Sequence, residues 1–355
     1  IADGTFILTA EKDGIHAENA DDKEKGYIYI ADGDFTITSD GDGMDASNIV
    51  QIEDGTLDIT AGGGAANSLK THESDVPGGG MPQNGEKPDG ESMPRMGEKP
   101  DGENMPQDTT TDESGTSTKG IKAGGGMYLN GGTYQIDSAD DSIHSNANIT
   151  IADGTYTLAT GDDGVHADDA LIVNGGTITV TESYEGLEGL AVTINDGTID
   201  ITASDDGINT AGEKMELNGG YIHILAGGDG VDSNGDLTIN GGEIYIDGPS
   251  DNGNSAIDYG DRSSAYVNGG TLVAIGSSGM AEVMSDSSKQ KVLMVKLGEQ
   301  MEAGNVELTD NEGNVIVSYT ALKTYDCVII STAEVESGAT YTLTTSGTMT
   351  EVTAE

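Results

Sequence analysis

Seven times along this chain an acidic residue, a small residue, an aliphatic residue and a second polar residue follow one another. They are Asp13-Gly14-Ile15-His16, Asp42-Gly43-Met44-Asp45, Asp141-Ser142-Ile143-His144, Asp163-Gly164-Val165-His166, Glu185-Gly186-Leu187-Glu188, Asp206-Gly207-Ile208-Asn209 and Asp229-Gly230-Val231-Asp232. Asp140, Asp162 and Asp205 add a further acid one place earlier. Carboxylates at this density suit three kinds of chemistry. They can hold a hard cation such as Ca²⁺, which takes about 6–8 oxygen ligands. They can act as the acid and base of a glycosidase, for which Asp162-Asp163 and Asp205-Asp206 are adjacent pairs. They can also form Asx turns with the neighbouring backbone, and one Asp can cap a turn and still ligate.

The elements that position these acids form a repeat. A corner of apolar residue, Asn or Asp, and one or two glycines recurs, as in Ile151-Ala152-Asp153-Gly154, Val173-Asn174-Gly175-Gly176 and Leu217-Asn218-Gly219-Gly220. From Gly132 to Gly242 the last glycines of these corners stand 21 to 23 residues apart. Strict alternation follows each corner, as in Thr177-Ile178-Thr179-Val180, which is the period of a half-buried strand. Gly supplies the left-handed conformation at the corner, and Asn or Asp bonds locally to the backbone. A unit of this length cannot bury its own apolar face, so units must stack about 4.8 Å apart. The expected fold is all-β: a right-handed parallel β-helix with rungs of about 22 residues.

Stacking turns the repeated acids into columns along one edge, with the intervening aliphatic residue pointing inward. Like charges about 5 Å apart repel by roughly 3 kcal/mol at an effective dielectric of 20. Shared protons or a bound cation must relieve that. Ca²⁺ is the expected cofactor, held by carboxylates drawn from Asp42, Asp45, Asp140, Asp141, Asp162, Asp163, Asp205, Asp206, Asp229 and Asp232. Zn²⁺ asks for a tighter His/Cys cluster than the three spaced histidines suggest.

Composition narrows the functions further. The formal net charge is −48, only 34% of residues are hydrophobic, and Trp is absent. Such a charge disfavours nucleic acid as a partner, and no long apolar run would insert into a membrane. The single Cys327 cannot form an internal disulfide. The chain opens at Ile1-Ala2-Asp3-Gly4, already inside a repeat, so a signal peptide and earlier rungs are expected upstream.

The repeats and their interruptions divide the chain. Residues 1–71 and 119–285 read as N-terminal and C-terminal rungs. Between them, 72–118 carries Met81-Pro82, Met93-Pro94 and Met105-Pro106 in a Gly- and charge-rich run and reads as a flexible low-complexity insertion. Residues 290–355 lose the corner spacing but keep strand-like runs, and read as a small β domain or cap.

Tyrosine must supply any sugar-stacking surface. Tyr134 and Tyr156 share one repeat position, as do Phe6 and Phe35, and core packing is the expected role there. Tyr27, Tyr29, Tyr184 and Tyr259 fall outside that position and are the candidate carbohydrate contacts. A lyase would need a Lys or Arg base, for which Lys122 and Arg262 are the candidates, but the acidic motifs repeat from rung to rung, whereas a catalytic site breaks a repeat once.

The Asp-Asp-Gly-Val-His corners, the Asn-Gly-Gly-Thr turns, Ala66-Asn67-Ser68-Leu69-Lys70, the Met-Pro-Gly insertion and Lys119-Gly120-Ile121-Lys122-Ala123 together resemble a bacterial extracellular family. Its members are carbohydrate-binding domain proteins with a polysaccharide-lyase-like parallel β-helix. The resemblance spans essentially the whole chain. It implies a secreted or cell-surface protein that binds plant polysaccharide, cellulose or pectin, without cleaving it, and that carries structural Ca²⁺. An acidic binder would hold anionic pectin through bridging Ca²⁺. A monomer is expected. The alternatives are a Ca²⁺-dependent lyase or galacturonidase-type enzyme, and an adhesin in which the coil is a spacer.

Overall fold

The computed structural model describes residues 1–19, 22, 25–70, 117–212, 214–260 and 262–354. Nearly all of the insertion expected at 72–118 therefore lies outside the described residues. Residues 1–68 and 117–355 form one compact unit, and it is all but entirely β-structure.

That unit is a parallel β-solenoid with three strands per turn. Each rung opens with a strand of five or six residues, such as Thr133–Ser138 or Thr155–Thr160. A sharp corner leads to a second strand, such as Ile143–Ser145, and a short turn leads to a third, such as Ile149–Ile151. Equivalent strands pair in parallel and in register, Thr133 with Thr155 and Ile143 with Val165. The coil continues across the insertion without a slip: Thr56–Ala61 pairs directly with Thr133–Ser138.

Alternation decides what faces inward. Along the long strands after the first, alternate residues are buried, as with Ile178 and Val180, while the threonines beside them face out. The second strand buries its first and third residues, so Met44, Ile143, Val165, Leu187, Ile208 and Val231 are all 0% exposed and their polar central neighbours point outward. Bulk is scarce in this core, and aromatic stacking fills the widest places. Tyr134 lies 4.4 Å from Tyr156 and Phe6 lies 4.8 Å from Phe35, each pair nearly parallel. The two buried hydroxyls donate to corner carbonyls, Tyr134 to Gly131 and Tyr156 to Asp153. These rings occupy the core position assigned to them from the repeat.

Parallel stacking ends at Thr271–Gly276. Its next neighbour is Tyr325–Ser331, which runs antiparallel and pairs in turn with Leu293–Met301. The C-terminal residues thus extend the long solenoid sheet. They also build a separate four-stranded antiparallel sheet from Gly304–Thr309, Val315–Ala321, Thr340–Thr345 and Thr348–Thr353. Val273 and Ile275, which would face water in an ordinary rung, are buried in the core this segment makes with Val306, Leu308, Val328 and Tyr341.

Candidate metal-binding edge

The corner between the first and second strands carries two stacked polar columns. The first, just before the turn glycine, runs Asp13, Asp42, Lys119, Asp141 and Asp163, then Glu185, Asp206, Asp229 and Ser255. The second, at the centre of the second strand, runs His16, Asp45, Lys122, His144 and His166, then Glu188, Asn209, Asp232 and Asp258.

The first column has a backbone role. Asp13 Oδ1 accepts the N–H of Asp42 at 3.0 Å, and Asp42 Oδ1 accepts that of Lys119 at 2.7 Å. Asp141 accepts from Asp163, Asp163 from Glu185, Asp206 from Asp229, and Asp229 from Ser255. Each of these six aspartates therefore satisfies the corner of the next rung, which is why the position repeats. The other oxygen meets a lysine or histidine at Asp13, Asp42, Asp141 and Asp163.

The N-terminal half of the edge contains its own cations. Lys119 Nζ lies 2.9 Å from Asp140 Oδ1 and 2.6 Å from Asp141 Oδ2. Lys122 Nζ lies 3.6 Å from Asp42. His144 Nδ1 sits 2.8 Å from Asp141 Oδ2, and His166 Nδ1 sits 3.0 Å from Asp163 and 2.8 Å from Glu188. Burial alone would raise the Asp141 carboxyl, but Lys119 and the His144 hydrogen bond overcome it and hold it well below the usual range. Burial likewise opposes a charged His166, yet hydrogen bonds to Asp163, Asp168 and Glu188 raise that imidazole above its usual value. Asp42 is raised by burial, only partly offset by Lys122. Asp163 is pushed up to about 7 by burial despite His166, with Asp141 and Glu188 adding to the rise.

The C-terminal half differs. Among the described residues, no cationic side chain pairs with Asp205, Asp206, Asp229, Asp232 or Asp258. Burial first, then Asp205 and Asp229, push Asp206 up to about 8. Burial and the charges of Asp258, Asp232 and Asp205 take Asp229 to about 7. Burial, Asp258 and Asp205 take Asp232 to about 6. Glu185, at the junction of the halves, is raised well above its usual value by burial and by Asp163 and Glu188.

Five groups along the edge bring ligand atoms within 4.8 Å of one another: Asp13/His16/Asp45, Asp140/Asp141/Asp162, Asp141/His144/His166, Asp163/His166/Glu188 and Asp206/Asp229/Asp232. These acidic clusters could hold a metal ion. The last is all oxygen and internally uncompensated, and so fits a hard cation best. The mixed clusters are compensated by Lys and His. Histidines spaced along the sequence are neighbours here, with the His144 and His166 rings 5.0 Å apart, because one rung of sequence is one ladder step in space.

Spacing alone missed Lys119 and Asp258. Lys119-Gly120-Ile121-Lys122 follows the corner pattern with lysine in both polar positions, and that was the available signal. Asp258 was hidden because Ser255-Ala256 replaces the Asp-Gly of its corner. Of the two cations weighed as catalytic bases, Lys122 lies in the second column facing Asp42, and Arg262 is exposed.

The candidate sugar contacts fall on separate elements. Tyr27 is 58% exposed, and Tyr29 is 42% exposed on a third strand, in one column with Gln51 and the exposed Tyr128. Tyr184 is half-buried beside the charged edge, its backbone bonded to Asp162 and Asp205. Tyr259 is half-buried, and its hydroxyl donates to the Val283 carbonyl at 2.7 Å.

No curated protein and no solved structure matches the chain. A family model does, twice in succession, over residues 1–164 and 162–312. Its description points to a binding rather than a catalytic role. With that match covering most of a solenoid of this kind, the chain belongs to the family of carbohydrate-binding domain-containing proteins.

Proposed function

We propose that this protein is an extracellular, monomeric binder of plant cell-wall polysaccharide, cellulose or pectin, that does not cleave its ligand and that carries Ca²⁺ on its acidic edge. Family membership supports carbohydrate as the ligand. The observation that carries the metal is the Asp206, Asp229 and Asp232 cluster, whose oxygens converge with no cationic side chain paired to them among the described residues. A hard divalent ion supplies the missing charge, taking these carboxylate oxygens and completing its shell with carbonyl or water oxygens. Asp206, Asp229 and Asp232 would hold it, with Asp205 and Asp258 lending their charge nearby. The same ion offers a uronate polymer a bridge to an otherwise repulsive surface.

Against catalysis stands the placing of the two candidate bases. Lys122 faces Asp42 at 3.6 Å within a column that repeats from rung to rung, and Arg262 is exposed. The test is retention on insoluble cellulose and on polygalacturonate, with Ca²⁺ and with EGTA, while reducing and unsaturated ends are measured. Retention without product is expected, with polygalacturonate lost in EGTA. Product formation establishes an enzyme instead, and retention on neither polymer favours the adhesin.

A further inference from the structure

On the opposite side of the long strands from the charged edge, the corners at Gly197, Gly220, Gly242 and Gly270 line a shallow groove of about 620 Å³. It crosses four rungs, about 14 Å along the solenoid axis at the usual strand spacing. One flank is the first outward position of the long strands, where Thr198, Tyr221, Glu243 and Thr271 stand in ladder register. Asp196 is the remaining lining side chain.

Tyr221 breaks a pattern here. The same position is threonine in the five preceding rungs, Thr56, Thr133, Thr155, Thr177 and Thr198. It lies one residue before the position of Tyr134 and Tyr156, and that single step turns the ring from core to surface. The side chain is 41% exposed. Its ring lies 5.7 Å from Tyr245, which stacks on Tyr319 of the C-terminal sheet at 5.2 Å. Tyr319 is fixed in turn by donating to Asp247. A supported aromatic surface therefore borders an open, hydroxyl-lined groove. Sugar rings present apolar faces to such rings and hydroxyls to the groups around them.

Charge selects among sugars. Among the described residues, the carboxylates lining the groove are Asp196 and Glu243, and no cationic side chain lines it. They repel uronates but accept hydrogen bonds from neutral hydroxyls.

We propose that this groove binds a neutral polysaccharide chain, with Tyr221 as its stacking platform and Asp196 and Glu243 accepting from sugar hydroxyls. The proposal rests on the carbohydrate-binding reading and adds a second surface, distinct from the acidic edge that would take uronates through a cation.

Calorimetric titration of the full chain with cellohexaose, xylohexaose and mannohexaose, and with hexagalacturonate in Ca²⁺, tests it. The wild type should bind at least one neutral hexamer. Tyr221→Ala should weaken that binding at least about tenfold, as loss of an aromatic anchor does. Tyr221→Trp should retain it, and hexagalacturonate affinity and the melting temperature should not move in either variant. A folded Tyr221→Ala protein that binds neutral sugar as the wild type does overturns the groove. So does a wild type that takes only hexagalacturonate, although carbohydrate binding itself then survives. Binding of no hexamer removes both readings. Should Tyr221→Ala melt early, Glu243→Lys decides. It should admit hexagalacturonate in EGTA, and its failure to do so overturns the groove.

Discussion

Asp232→Asn should reverse its effect on stability when calcium is added. The Asp206, Asp229 and Asp232 oxygens lie within 4.8 Å of one another. At that separation two full charges repel by about 3 kcal/mol at an effective dielectric of 20. The acids are pushed up to about 8, 7 and 6 respectively, so near pH 7 part of this repulsion is already relieved by protonation. With solvent screening, about 1 kcal/mol remains for Asp232. Asparagine keeps the shape and one oxygen and removes the charge. In EGTA at pH 7 the variant should therefore be more stable by about 1 kcal/mol, a rise of about 2–4 °C in melting temperature. In calcium the sign changes. An ion at 100 times its Kd stabilises by about 2.7 kcal/mol, and a tenfold weaker site loses about 1.3 kcal/mol of that. The pH dependence has a fixed direction too. A raised carboxyl pKa means the folded state keeps protons the unfolded chain releases, so this contribution is full below about pH 4 and is lost as pH rises through 6 to 8. The wild type in EGTA should thus lose melting temperature from pH 5 to pH 9, and Asp232→Asn should lose less. Thermal melts by circular dichroism, with EGTA and with Ca²⁺, read all of this. A variant that melts lower in EGTA and keeps the whole calcium increment would refute the argument.

Two further substitutions probe the scaffold around the sites. Lys119→Met leaves the buried Asp141 without its main counter-charge and should cost about 3–5 kcal/mol in urea denaturation; adding Asp141→Asn should restore part of it, and a double variant no better than the single one would remove the charge explanation. Gly220→Ala meets a φ of +85° and places its Cβ 2.6 Å from the Gly197 carbonyl oxygen, so it should cost well over about 1 kcal/mol, and an unchanged melt would contradict the geometry.

The repeat was readable because each corner needs the same chemistry at the same place. A glycine that must take a positive φ and an acid that must accept the next rung's N–H leave a fixed spacing in the chain. Which residues become neighbours was readable as well, since stacking converts one repeat into one ladder step. What the neighbours do to one another was less so. Read as a list of carboxylates, the edge appeared uniformly short of cations. Its Lys119 and Lys122 stand where other rungs place acids, histidines or an asparagine, so a pattern of carboxylates does not reveal them. Tyr221 was lost for a smaller reason. It follows a corner as Tyr134 does, but one residue sooner, and a one-residue offset in a strand exchanges core for solvent. The antiparallel pairing of Thr271–Gly276 with Tyr325–Ser331 leaves no periodic trace, because it is made once and by residues far apart in the chain.

The substitution at Lys119 also shows what the edge requires of any cation. An acid in that position would accept the N–H of Asp141, as its counterparts do in neighbouring rungs, and lysine cannot. Asp140 takes over that role, accepting the Asp141 N–H at 2.9 Å while its Oδ1 also receives Lys119 Nζ. Placing a covalent cation in the column thus draws on a second acid, while Lys119 and His144 hold the Asp141 carboxyl well below its usual range against burial. At Asp206, Asp229 and Asp232 the backbone acceptors are all retained where the ladder needs them, at Asp206 for Asp229 and at Asp229 for Ser255. There the corner keeps its carboxylates, and the charge that partial protonation leaves on them can be neutralised by a cation from solution. A lysine does for one half of the edge what a bound ion would do for the other, and so calcium should act on the C-terminal rungs while leaving those around Lys119 unmoved.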